Sequence, residues 1–173
     1  MPVSMTIIDN GKLKMSAAAQ SLMRSHERAV MAYYDDGGKP GKGNCTWGIG
    51  TLAHLGPCTR EEMGRTVSPA EVESAFSARI VDAERLVQRR VKKYALNQLQ
   101  FDALVSFVYN TGPHGAASTL DYVDAGELKS AADAMSKMIY MTVKTKTGSK
   151  KIVARGLIPR RVQESAPFRT VAE

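Results

Sequence analysis

The stretch "VSPAEVESAFSARIVDAERLVQRRVKK" limits the possible folds of this chain more than any other. Ser68 is suited to cap a helix, and Pro69 to open it, because the N–H that proline lacks would have no partner there. Glu71 completes a capping box with Ser68. Val72, Phe76, Ile80, Ala83 and Val87 then recur at steps of four and three, which draws one apolar stripe. The predicted helix covers roughly 23 residues, about 35 Å at 1.5 Å per residue. That is long enough to link two lobes, over about 69–92.

The flanking sequence fits two lobes of different kinds. A first helix is expected from about Ser16 to Val30, with Leu22, Met23, Ala29 and Val30 among its apolar positions. Gly37, Gly38, Pro40, Gly41 and Gly43 forbid a regular helix after it and predict a loop or hairpin tip. "CTWGIGTLAHLG" reads as a short strand with glycine breaks. Further on, Asn97 and Gln100 form a second capping box that opens "QLQFDALVSFVYNTG". Phe101, Leu104, Val105 and Val108 are its buried stripe, and Gly112 with Pro113 ends it. Another helix is expected over about Glu127 to Met141, then an exposed hairpin or mobile loop at "TVKTKTGSKKIVA", then a short helix near Pro159. The class is α+β and mostly helical. A small antiparallel sheet lobe occupies about 33–66, and a helical lobe about 93–173 takes in the N-terminal helix. The sheet is expected only in the first third of the chain.

Composition narrows the function classes. The 173 residues can bury about 70% of the unfolded surface, so no cross-link is needed for folding. No run of 18 apolar residues is present, which excludes a membrane-spanning helix. "MPVSMTIIDNGKLKM" lacks the charged start, apolar core and cleavage site of an export signal, so none is expected. A net charge of +7 suits anionic polymers, whether nucleic acid, acidic lipid or cell wall, or simple solubility. Cys45 and Cys58 are the two cysteines. With three scattered histidines they make a poor zinc set, so no metal is expected. Free buried thiols are the favoured reading; pairing across the Gly-rich segment is the alternative for a protein working outside the cytoplasm. "GGKPGKGNCT" lacks the glycine spacing of a phosphate loop, and "GIGTLA" is followed by "HLGPC" where a dinucleotide fold needs a helix.

The carboxylates carry the remaining signal. Glu27 precedes Asp36 by nine residues, and Thr46 lies ten beyond. Glycoside hydrolysis uses one protonated carboxyl for the leaving oxygen and a second carboxylate for water or the sugar cation. A helix acid beside an acid on a sheet turn is one way to build that pair.

This constellation, "E…YYDD…GNCTWGIGTL", resembles the catalytic signature of the phage-type lysozymes. Glu27, Tyr34, Asp36, Thr46, Gly48 and Gly50 match its order, and "NQLQFDALVSFVYNTG", "STL" and "GLIPRRVQE" are similar to later landmarks of that family. The resemblance runs from about Ser16 to Phe168. It implies a lysozyme-like fold and cleavage of β-1,4 bonds between N-acetylmuramic acid and N-acetylglucosamine, with inversion. Glu27 would be the acid, and Asp36 with Thr46 would hold the water. It also implies substrate contacts at Asn110, Thr51 and Trp47, although a tryptophan placed like Trp47 is more often core than a sugar platform and a family histidine is replaced at Thr51. Arg160 resembles an arginine that pairs with the catalytic glutamate; such a pairing favours the charged carboxylate and works against proton donation. The nine residues 37–45 exceed the usual gap between the Asp and the Thr, and Asp35 is the rival to Asp36. His26 is expected to face away.

The implied partners are peptidoglycan glycan strands and anionic wall or outer-membrane surfaces, with no specific nucleic acid, no cofactor and a monomeric state. The protein is expected in the host cytoplasm until lysis and at the wall afterwards. A related chitin-type glycosidase, or a non-catalytic wall- or DNA-binding protein on the same scaffold, is the alternative.

Overall fold

The computed structural model describes residues 9–169. The first eight residues of the stretch read for an export signal lie outside the described residues. Among the described residues no helix is long and apolar enough to cross a membrane. The described chain divides into two compact units: Ala17–Val81, and residues 9–16 with 82–169.

In the first unit, helix α1 (Ala17–His26) leads into an antiparallel sheet of β1 (Val30–Asp35), β2 (Cys45–Gly48) and β3 (Thr51–His54), in that order across the sheet. A single-turn helix, α2 (Arg60–Met63), follows, and then the start of α3 (Pro69–Arg90). α1 stops short of Val30 because the strand formers Val30, Tyr33 and Tyr34 pair with β2 instead. The α-helical period in Ala29 and Val30 is therefore misleading. The expectation that grouped the N-terminal helix with the helical lobe is also corrected, since Ala17–His26 belongs to the unit that holds the sheet. The sheet packs on α3: a Cβ added at Gly48 would lie 3.2 Å from a Val72 methyl. Ser68 and Glu71 form the expected capping box, with the Ser68 N–H donating to Glu71 at 2.8 Å and the Glu71 N–H to Ser68 Oγ at 3.2 Å. Val72, Phe76, Ile80, Ala83 and Val87 are all buried.

The second unit holds the end of α3, α4 (Gln98–Asp124), α5 (Leu128–Ser136), a hairpin of β4 (Tyr140–Thr145) and β5 (Gly148–Val153), and α6 (Leu157–Arg169). Asn97 and Gln100 cap α4 reciprocally. Phe101, Leu104, Val105 and Val108 are buried, as their spacing predicts. At Gly112 the backbone turns to φ 76°, ψ 175°, a break that a side chain would oppose, and Pro113 opens a second helical stretch. The incoming chain is fastened here by polar side chains. The Asn10 amide donates to the carbonyls of Val91 and Tyr94, each at 2.8 Å, and accepts from the Leu96 N–H at 3.0 Å. Asp102 takes both the N–H and the hydroxyl of Ser16.

Two expectations fail in this unit. The helix predicted to reach Met141 ends at Ser136, because Tyr140–Thr145 pairs residue by residue with Gly148–Val153. For the same reason β-structure is not confined to the first third. Of the hairpin and the mobile loop that "TVKTKTGSKKIVA" allows, the structure has the hairpin.

Candidate active site

The unit 17–81 gathers Glu27, Tyr34, Asp36 and Thr46. Glu27 is not on the helix, as expected, but one residue beyond it, where its N–H closes the last turn onto the Arg24 carbonyl at 3.2 Å. An Arg24 guanidinium nitrogen donates to the Glu27 carbonyl at 3.2 Å and fixes that turn. The Glu27 side chain is half-buried. Arg24 also pairs with Glu73 at 2.9 Å across an open groove lined by Gln20, Ser21, Ser25, Phe76 and Ser77, which borders this turn without containing the carboxylates.

Strand register separates the two aspartates. Tyr33 lies opposite Trp47, Tyr34 opposite Thr46 and Asp35 opposite Cys45. Side chains alternate along a strand, so Asp36 continues the face of Tyr34 and Thr46, while Asp35 shares that of Tyr33 and Trp47. The hydrogen bonds agree. Asp36 accepts from the Asn44 N–H at 2.7 Å and from Thr46 Oγ1 at 3.3 Å. The Thr46 hydroxyl also lies 3.2 Å from the Asn44 carbonyl, so its single proton has two acceptors. Asp36 is exposed and Thr46 is buried. Gly43, at φ 86°, makes this turn possible: a Cβ there would sit 2.2 Å from the Asp36 carboxylate.

Asp35 does a different job. One oxygen takes the Gly41 N–H and the other the Cys58 N–H, both at 2.7 Å. Those backbone donors, Cys58 first, hold its pKa below the usual 3.8. Its carboxylate is committed to the loop.

Tyr34 registers both candidate acids. Its phenol is raised above 10.0, first by burial and then by the negative charges of Asp36 and Glu27, with Arg79 acting in the opposite direction. Arg79 is anchored by a 2.7 Å bond to the Ile49 carbonyl.

The other expected residues are placed differently. Trp47 packs on Tyr33 with ring centroids 6.3 Å apart, and Thr51 pairs with Trp47. Both therefore lie on the face opposite Asp36 and Thr46. His26 is exposed. Asn110 and Arg160 belong to the other unit. Asn110 is exposed, and its carbonyl oxygen accepts from Arg161, which leaves the NH₂ end outward. Arg160 is buried, donates to the Ser106 carbonyl at 3.2 Å and pairs with Glu164 at 3.5 Å. Arg161, stacked 5.1 Å over Phe107, was not singled out in the sequence, although "PRRVQE" contains it. Asn44 was missed because its backbone, not its side chain, meets Asp36.

The cysteine expectation is overturned. Cys45 and Cys58 form a disulfide. They meet because the Cys45 N–H bonds the Gly56 carbonyl at 2.7 Å, while Asp35 holds Cys58. His54 and Glu62 sit beside the bridge, and Cys45, His54 and Glu62 together have the donor atoms of a metal cluster.

The model of the phage lysozyme family matches residues 24–164. An endolysin of Bacillus phage PZA is 36% identical over 112 residues, which is 61% of this chain and 40% of that relative. The chain thus matches well under half the length of this curated relative. Among solved structures, the muramidase domain of SpmX from Asticaccaulis excentricus is similar at TM-score 0.69 and 25% identity, over 92% of this chain and all of that one. The endolysin of Escherichia coli O157:H7 phage FAHEc1 is similar at TM-score 0.65 and 27% identity, over 92% of this chain and 96% of its own.

Proposed function

The chain belongs to the phage lysozyme family, and we propose that it is a wall-lytic glycosidase that cleaves the β-1,4 bond between N-acetylmuramic acid and N-acetylglucosamine in peptidoglycan. The observation that supports this reading is the convergence on Tyr34. One phenol feels the charge of both Glu27 and Asp36, and the second of these is hydrogen-bonded to Thr46.

In this mechanism Glu27 protonates the departing glycosidic oxygen. Asp36 is the second carboxylate, set against the oxocarbenium charge. Each of its oxygens keeps a lone pair beyond the Asn44 and Thr46 bonds. A water that donates one proton to Asp36 and the other to Thr46 Oγ1 has its own lone pair directed at the anomeric carbon. The hydroxyl accepts through its lone pairs, whichever of Asp36 and the Asn44 carbonyl takes its proton. Attack from the face opposite the leaving group gives inversion. Trp47 and Thr51 are assigned to sheet packing.

The test is digestion of purified peptidoglycan, followed by borohydride reduction of the new chain ends and NMR of the first-formed anomer. The proposal expects reduced muramic acid and the α anomer. Reduced glucosamine alone would indicate a chitin-type or glucosaminidase specificity, and no new ends at all would indicate a binding protein.

A further inference from the structure

We propose that Cys45, His54, Cys58 and Glu62 form a zinc-class metal site once the Cys45–Cys58 disulfide is reduced, so that one loop is closed by either an S–S bond or an ion. The Cys45 sulfur, the His54 ring nitrogen and a Glu62 oxygen already lie within 4.8 Å of one another. Cys58 lies outside that group of three, and its sulfur, 2.04 Å from that of Cys45, supplies the fourth donor by swinging away once their bond is cut. Two thiolates, an imidazole and a carboxylate are a tetrahedral zinc set.

The spacing is close to what an ion requires. Zinc–ligand bonds of roughly 2.0–2.3 Å put tetrahedral ligands about 3.4–3.8 Å apart. The Cys45 sulfur is 3.6 Å from Glu62 Oε2. A disulfide sulfur has no proton to donate, so that approach is a packing contact and not a hydrogen bond. His54 Nε2 is 2.9 Å from each Glu62 oxygen. It has to retreat by about half an ångström to reach that range, and its side chain is 39% exposed and has room to do so.

The surroundings already orient the ligands. His54 Nδ1 lies 2.9 Å from the Leu55 carbonyl, which only accepts, so Nδ1 carries the proton and Nε2 is the ligating nitrogen. Glu62 Oε2 takes the Thr59 N–H at 2.6 Å, which orients the carboxylate, and it keeps a further lone pair for an ion. The sulfurs stay within reach without their bond. The Cys45 N–H bonds the Gly56 carbonyl at 2.7 Å, the Gly56 N–H bonds the Asn44 side chain at 2.9 Å, and the Cys58 N–H bonds Asp35.

The chemistry balances. Two molecules of a small thiol reduce the bridge to two cysteine thiols and leave as one disulfide. A divalent ion then displaces the two thiol protons and the Nε2 proton that His54 holds toward Glu62. Asn44 and Thr46 flank Cys45 and both donate to Asp36, so either closure steadies that carboxylate.

The test uses the full chain, reduced with a phosphine that is then removed without air, and titrated with Co²⁺ in place of zinc. The expected result is a single equivalent bound, with tetrahedral d–d bands and a thiolate charge-transfer band that zinc abolishes, and no such spectrum from oxidised protein. His54→Ala and Glu62→Gln should each weaken binding by at least about tenfold, with circular dichroism following the fold. An octahedral spectrum without a thiolate band would overturn the proposal. So would binding that both variants leave unchanged, or a reduced chain that neither keeps nor regains native dichroism with cobalt.

Discussion

In β2, Cys45, Thr46 and Gly48 are buried, whereas all six residues of β5 are exposed. The β4–β5 hairpin has the more regular ladder, six pairs in one register. β1–β2 and β2–β3 are each interrupted by a shift, at Val30/Tyr33 and at Cys45/Thr46. Such irregularities re-aim side chains, and here one falls beside Thr46. The first sheet is pinned by α3, by a disulfide and by Asp35, while the hairpin displays Lys144, Lys146, Lys150 and Lys151, which protect its edges from pairing with other strands. Regular pairing makes a strand; buried, irregular and cross-tied pairing makes a platform on which a carboxylate can be held still.

The sharpest way to break this contrast is to neutralise the acid at the entrance to the first sheet. Glu27→Gln should lower the rate of wall hydrolysis by about a thousandfold with an unchanged melting temperature. It should also lower the Tyr34 phenol pKa, measured by ultraviolet titration, because Glu27 contributes to its elevation. Near-full activity would detach Glu27 from the chemistry.

The disulfide comes next. Cys58→Ser opens a loop of 13-residue separation, which in the chain-entropy treatment is worth about 3 kcal/mol. Urea unfolding of metal-free variant and oxidised parent measures it. A difference near zero would mean that backbone bonds alone hold the sheet. The smallest effect belongs to the hairpin: Lys146→Gln, Lys150→Gln and Lys151→Gln together should move stability by no more than about 0.5 kcal/mol. They should weaken retention on anionic wall material in a salt-dependent way, readable by sedimentation.

Helix starts were legible because capping is a rule three residues long: Ser68 with Glu71 and Asn97 with Gln100 act as their spacing predicts. The hairpin was only half legible, since alternation around Gly148 is local but suits a mobile loop as well. Boundaries failed where a partner strand decides. Ala29 and Val30 continue a helical pattern, yet β2 draws Val30 into the sheet, and β5 does the same to Tyr140. The Cys45–Cys58 bond escaped because it depends on where Gly56 and Asp35 take hold of the chain. Glu62 escaped as a partner for His54 because a one-turn helix leaves almost no periodic trace. The resemblance named Glu27, Asp36 and Thr46, but choosing between Asp35 and Asp36 needs the pairing of Tyr34 with Thr46.

That choice is the centre of the account, and Asp35→Asn beside Asp36→Asn tests it most directly, with activity and melting temperature read across acid pH. A depressed folded-state pKa means that Asp35 stabilises the protein above its ordinary 3.8 and loses that contribution as pH falls through the lower folded value. Asp35→Asn should therefore melt earlier at neutral pH, show a flatter acid limb, and stay active wherever it is folded. Asp36→Asn should melt like the parent and lose about a hundredfold in activity. An inactive but fully folded Asp35→Asn beside an active Asp36→Asn would contradict the account.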